Sequence, residues 1–281
     1  MEEEFSRRYR ELYEKHWWFR AREEMIVELL RRKQPRAGWK TILDVGCGDA
    51  LFFPELQRFG DVQGVEPVAS IIRPDNPYRQ RIYIGPFDER FQPRKRYSLI
   101  LMLDVLEHMD EPLKALRHAV QLLEPGGALV ISVPAFRFLW TKHDELNDHR
   151  TRYSRASFCR LAEKAGMNIQ MARYAFHWLV PVKLAMRLKE RLLDSGPSIP
   201  TVPPDVLNRL LYWISRIEEK LLGRMPIPAG SSLVIFGGAE AGDDPLASRK
   251  RHETRTPVER GEAEMDPKAS AAPIARTTHI G

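Results

Sequence analysis

The sequence predicts an α/β protein built on a doubly wound, seven-stranded, mostly parallel sheet, with an N-terminal helical lid and a helical insertion before the last strand. Three observations carry this. Short apolar runs at 41–45, 99–103 and 129–133 lack polar alternation, as strands buried on both faces do. Stretches with helical spacing lie between them. The first run ends in Asp44-Val45-Gly46-Cys47-Gly48, where an acid and two glycines mark a turn at which backbone approaches a ligand closely.

Residues 5–33 read as one helical region, with Phe5, Tyr9, Leu12 and Tyr13, and later Ile26, Leu29 and Leu30, at helical spacing around an aromatic run at 16–19. Strands follow at 41–45, 61–66, 82–84 and 99–103. Between them, a short helix over 50–59 carries Pro54 in its first turn, where proline is tolerated. A helix over 112–123 opens on Pro112 and aligns Leu113, Leu116, Val120 and Leu123 on one face. Pro134 stops the fifth strand, 129–133. Ser154 is a good N-cap for a helix over 155–165, and Gly166 ends it. Residues 168–176 and 233–236 read as the last two strands. Between them, amphipathic runs at 179–193 and 205–222 form the insertion. The expected organisation is a lid over 1–38, the sheet domain over 39–238 with a helical cap at 177–226, and a tail over 239–281 too polar to bury a core and therefore disordered.

Composition narrows the function classes. A hydrophobic content of 43% fits a globular core. Two cysteines, Cys47 and Cys159, supply neither a disulfide framework nor metal-ligand spacing, and with no signal peptide or apolar run of about 18 residues the expected location is cytoplasmic. A net charge of +6 is spread among acids, so no DNA partner is expected, while a weak attraction to anionic partners is allowed.

Glu66 ends the second strand about 20 residues after Gly46, the spacing at which a carboxylate takes the ribose hydroxyls of a nucleoside. Leu51 stands where a dinucleotide site wants its third glycine. Asp44 and Asp49 would repel a pyrophosphate but suit the ammonium and sulfonium charges of S-adenosylmethionine.

The stretch Asp44-Val45-Gly46-Cys47-Gly48 resembles the first motif of the class I S-adenosylmethionine-dependent methyltransferases. Gly64-Val65-Glu66-Pro67 resembles their ribose-binding motif, Tyr97 to Met109 the fourth-strand motif beneath the cofactor, and Leu122 to Gly127 the turn into strand five. Two positions depart. Alanine at 50 often stands as glycine in the family, a change expected to cost little, and Tyr97-Ser98 replaces an aromatic-Asp pair whose acid is more often structural than catalytic.

The resemblance implies a Rossmann-like fold and a cofactor held by Asp44, Gly46, Cys47, Gly48, Glu66, Leu103 and Asp104. It places Phe87 against the adenine ring and Asp88 as acceptor from its amino group. It also implies an arginine of the N-terminal segment, Arg20 or Arg22 with Arg20 assigned, pairing with the methionine carboxylate.

A hydroxyl acceptor must lose a proton, and histidine is the natural base near neutrality. The candidates are His108, beside the fourth-strand end, and His143 and His149, in a stretch dense in aromatic, acidic and basic residues. A structural hydrogen bond beneath the cofactor is the alternative role for His108. Asp104, Glu107 and His108 are also similar to the acid-x-x-Glu-His of the quinone-biosynthesis O-methyltransferases, a signature associated with a divalent cation, but no metal site is assigned. The expected acceptor is a small molecule or a lipid- or glycan-linked one, with the 183–193 helix able to contact a membrane surface. An RNA or protein methyltransferase and a non-catalytic cofactor-binding protein are the alternatives. The acceptor and the oligomeric state are not readable from the sequence.

Overall fold

A computed structural model describes residues 10–193 and 201–239. Seven strands form one sheet in the order β3-β2-β1-β4-β5-β7-β6. They are β1 (Thr41–Val45), β2 (Asp61–Glu66), β3 (Ile82–Ile84), β4 (Tyr97–Leu103), β5 (Leu123–Pro134), β6 (Met167–Ala175) and β7 (Ser232–Ala239). β7 runs antiparallel to both β5 and β6, and the other pairs are parallel.

Strand residues alternate between two cores. Ile42, Leu99, Leu101, Val130 and Val234 face one layer, and Leu43, Ile100, Ile131, Leu233 and Ile235 face the other. The first layer is covered by helices α1 (Trp17–Lys33) and α2 (Phe53–Leu56). The second is covered by α3 (Pro112–Gln121) and α5 (Arg155–Ala165). Each fully buried Leu or Ile is worth roughly 1.5–3 kcal/mol, so this two-sided burial is why these strands carry no polar alternation.

The N-terminal segment is not one helix. Residues 10–15 form a short helix, and the chain restarts at Trp17 with His16 as N-cap. Asn208 closes the gap from 191 residues away: its Oδ1 accepts from the Trp17 amide at 2.9 Å and its Nδ2 donates to the Lys15 carbonyl at 2.8 Å. The short helix expected over 50–59 shrinks to four residues. β5 begins at Leu123, six residues earlier than its apolar run, because Leu123 already pairs with Tyr97 across a register shift.

Ser98 does locally what an acid would. Its hydroxyl accepts from the Lys40 and Thr41 amides and donates to the Thr41 carbonyl at 2.8 Å, latching β4 to the start of β1. Ser154 caps α5 and Gly166 ends it at φ 74°, as their residue types predict.

α4 (Lys142–Leu146), α6 (Leu179–Leu193) and α7 (Asp205–Leu222) complete the described helices longer than one turn. α7 lies along α1, where Tyr212 donates to Glu24 and Arg216 pairs with Glu24 and Glu28. The tail expected over 239–281 lies outside the described residues beyond Ala239.

Candidate active site

The carboxyl ends of β1, β2, β4 and β5 lie on one sheet edge, and the strand order reverses between β1 and β4, where open α/β sheets bind ligands. After β1 the chain turns through Gly46 (φ 71°) and Gly48 (φ 55°), conformations that favour glycine. A Cβ on Gly46 would meet Val105 Cγ2 at 2.7 Å, so the turn is pressed against the end of β4. Ala50 also takes a positive φ, 54°. Its backbone, not its bulk, explains why glycine suits that position, and the substitution is not free of cost.

Glu66 ends β2 inside this cradle. Its carboxylate accepts from the Gly48 and Val68 amides, each at 2.9 Å, which leaves lone pairs for two ribose hydroxyls. Burial pushes its pKa up, against those two bonds. Asp44 is buried one residue before the end of β1, and burial pushes its carboxyl up to about 7, against the pull of Arg22 and with a further push from Glu66.

Asp104, at φ 56°, follows Leu103 at the end of β4. Arg22 Nη2 lies 2.7 Å from its Oδ2. Arg20 points elsewhere, its guanidinium 4.8 Å from the centre of the Tyr212 ring. The structure therefore sets Arg22, not Arg20, against Asp104.

Other assigned positions make packing or surface contacts. Cys47 is buried against Gly64, where a Cβ would approach its sulfur to 2.4 Å, and burial drives its thiol pKa far up. Asp49 does not face the crevice as a free charge. It takes Arg10, Arg73 and Asn76 and so ties the loop after β2 to the glycine turn. Phe87 is buried against Phe91 and His118. The Asp88 carboxylate is held by Arg90 on the surface, so neither side chain stands open for adenine.

The stretch after β5 folds back across the end of β4. Tyr153 pairs with the chain at 134–136, and the Arg150 amide donates to the Glu107 carbonyl at 2.7 Å. Its centre is Asp144, fully buried, which receives Arg152 Nε at 2.8 Å and Nη2 at 2.9 Å and His149 Nδ1 at 2.7 Å. Burial alone would raise the Asp144 carboxyl; the bonds from His149 and Arg152 override it and hold the carboxyl well below the usual range. With Nδ1 so engaged, His149 presents Nε2.

His108 and His149 come together, their ring centres 4.8 Å apart, and burial and then His149 lower the His108 pKa. His143 does not join them: it bonds Asn147 on its own helix, and burial and Lys183 lower it to about 4. Sequence reasoning missed the Asp144–Arg152 anchor. The only local signal is the Thr141-x-x-Asp144 capping box of α4, which does not reveal that the same carboxylate also orients a histidine. Glu107, noted in the sequence only within the acid-x-x-Glu-His resemblance, is fully buried with both carboxylate oxygens lacking a hydrogen-bond partner, its pKa pushed well above the ordinary value by burial and then by Asp104. Glu107, His108 and His149 offer donor atoms within 4.8 Å of one another.

A sheet edge with a glycine cradle, a ribose-ready carboxylate and buried acids at the strand switch point defines a class I S-adenosylmethionine-dependent methyltransferase. The family described as "Methyltransferase domain" matches residues 12–171, and the chain belongs to it. S-adenosylmethionine is the cofactor of this class, and the described residues fit it: Gly46 and Gly48 leave the turn free of side chains, and Glu66 keeps acceptor capacity.

Among curated relatives, the ubiquinone biosynthesis O-methyltransferase of Bradyrhizobium diazoefficiens is 31% identical over 101 residues, 34% of this chain and 40% of that protein. The chain thus matches about two fifths of that relative's length. Two solved structures share the fold. One is a chain of the complex between the Haloferax volcanii Trm112 methyltransferase activator and a methyltransferase, with a TM-score of 0.54 and 16% identity, covering 86% of this chain and 96% of that one. The other is an S-adenosylmethionine-dependent methyltransferase of Thermotoga maritima, with a TM-score of 0.51 and 17% identity, covering 84% and 96%.

Proposed function

We propose that this methyltransferase acts on a hydroxyl oxygen of a small, partly apolar acceptor, free or lipid- or glycan-linked, and that His149 receives the acceptor's proton. The observation that carries this is the buried Asp144, which fixes His149 by its Nδ1 and stabilises the imidazolium formed when Nε2 takes a proton. S-adenosylmethionine, when bound, supplies an electrophilic methyl group. Asp44, Glu66 and the Gly46–Gly48 turn hold it at the β1–β4 edge, while Arg22 balances the acids that crowd there.

Phe136, Phe138 and Tyr174 stack beyond the end of β5 with ring centres 5.0 and 4.7 Å from Phe136, a wall that suits an apolar acceptor body. The O-methyltransferase named among the relatives supports an oxygen acceptor, though over a third of the chain only. The test is transfer of labelled methyl from S-adenosylmethionine into the organic extract of cells, with His149→Ala as control. Label in an alkali-stable small molecule, lost in the variant, supports the reading. Label confined to RNA or protein overturns it.

One observation favours a second reading. Glu107 with its two bare oxygens, beside His108 and His149, is a carboxylate and two imidazoles of the kind that hold a divalent transition ion. In that reading His149 is a ligand and not a base. Activity abolished by chelation and restored by a divalent cation selects it.

A further inference from the structure

We infer that α6 and α7 seat the protein on an anionic bilayer, their apolar faces entering the lipid–water interface. A surface helix ordinarily turns its apolar stripe to the core and its charges to water. Both helices bury part of theirs, Leu179 on α6 and Leu211 and Tyr212 on α7, but leave a second apolar stripe facing outward. On α7 the side facing the protein packs Leu211 and Tyr212 on the core and is otherwise polar: Asn208 bridges Lys15 and Trp17, Glu218 accepts from the His177 and Trp178 amides, and Glu219 pairs with Arg173. Leu210, Trp213, Ile217 and Leu221, at helical spacing, are 54%, 59%, 54% and 67% exposed. On α6, Arg187 donates to the Phe138 carbonyl and Glu190 accepts from the Lys142 amide, whereas Leu184, Leu188 and Leu192 are turned to solvent. Exposed apolar residues met singly need no account, but outward apolar stripes on two helices make a patch that needs an occupant.

Charge identifies the occupant. Lys189, Arg191, Arg209 and Lys220 are exposed at the edges of these faces, while Glu190, Glu218 and Glu219 are turned inward and bonded. Among the described residues of the two helices, Asp205 at the start of α7 is the exposed acid. An anionic membrane surface satisfies the apolar stripe and the basic rim together, and Trp213 belongs to the residue type that settles at that boundary. A second copy of this chain would set one basic rim against another. α6 also holds Phe138, itself 49% exposed and part of the aromatic wall beside the site, so docking would bring the acceptor entrance to the bilayer. The inference depends on the helix faces and not on the acceptor.

The test is flotation of the full chain with vesicles of equal parts phosphatidylglycerol and phosphatidylcholine, and with phosphatidylcholine alone. The protein should float with the anionic vesicles, less so in high salt, and remain below with the neutral ones. The triple variant Leu210→Glu, Trp213→Glu, Ile217→Glu should lose roughly tenfold or more of the binding while its S-adenosylmethionine titration stays unchanged, which shows that it folds. Wild-type protein that ignores anionic vesicles, or a folded triple variant that floats like wild type, overturns the inference. A dimer by light scattering that the triple variant turns into a monomer assigns the face to a second copy and overturns it too.

Discussion

His149 Nδ1 lies 2.7 Å from Asp144 Oδ1, and buried Arg152 donates to both oxygens of the same carboxylate. The histidine is thus held in one tautomer with Nε2 free to act. His149→Ala should lower turnover by roughly 10²–10⁴-fold with little change in cofactor affinity, read by steady-state kinetics beside calorimetric titration. Unchanged turnover removes the base from this position. Asp144→Asn should instead lower stability by about 3–5 kcal/mol, because it strands a buried guanidinium. With the Asp144 carboxyl depressed in the fold, its contribution is present above the unfolded pKa of about 3.9 and is lost as pH falls below it.

Asp44 gives the opposite pH signature. Its folded pKa, about 7, lies above its unfolded value, so the folded chain retains a proton that the unfolded chain has shed. The ligand-free protein should lose stability as pH rises from about 4 to about 7, by about 4 kcal/mol at most, and Asp44→Asn should flatten that slope in denaturant titrations. A cationic cofactor favours the ionised form. Affinity for S-adenosylmethionine should therefore rise with pH, by up to about tenfold per unit below pH 7, and level off above it. A flat affinity profile would place Asp44 outside the cofactor site.

Arg22 and Arg20 are two residues apart and have different partners. Arg22 lies against Asp104 and eases the burial of Asp44, whereas Arg20 covers the Tyr212 ring. Arg22→Gln should weaken cofactor binding by roughly tenfold, about 1.4 kcal/mol. Arg20→Gln should leave binding unchanged and cost roughly 0.5–1 kcal/mol of stability through the lost cation–π contact. The reverse ranking in a titration of both variants would return the role to Arg20.

Ala50 holds a left-handed backbone at φ 54° next to the glycine turn. Ala50→Gly should therefore stabilise the protein by about 1 kcal/mol, because it relieves the clash of Cβ with the carbonyl. A higher denaturant midpoint with unchanged slope is the expected observation; a lower midpoint would mean that the methyl group's packing outweighs the strain.

Much of the fold was legible because it is written in local chemistry. The spans 179–193 and 205–222 follow from helical periodicity, and Ser154 and Gly166 bracket α5 through properties of single residues. The glycine turn and Glu66 were legible for the same reason: the close approach there permits few residue types. The break at His16 was not, because the groups that satisfy it come from Asn208, and no local pattern announces a hydrogen bond across 191 residues. Arg20 and Arg22 were indistinguishable for a related reason, since both carry the right charge and only the packing of α1 against α7 decides which one turns toward Asp104.

By itself the sequence determined the sheet and the glycine turn after β1, because apolar period and glycine conformation are short-range properties. Only the tertiary structure decided which histidines meet, which arginine lies against Asp104, and that α6 and α7 turn Glu190, Glu218 and Glu219 inward. An amphipathic pattern specifies that a helix has two faces. Which face meets the protein depends on what the rest of the chain offers it, and here the Lys15 carbonyl, the Trp17, His177 and Trp178 amides and Arg173 of β6 receive the polar groups of α7 beside the core contacts of Leu211 and Tyr212.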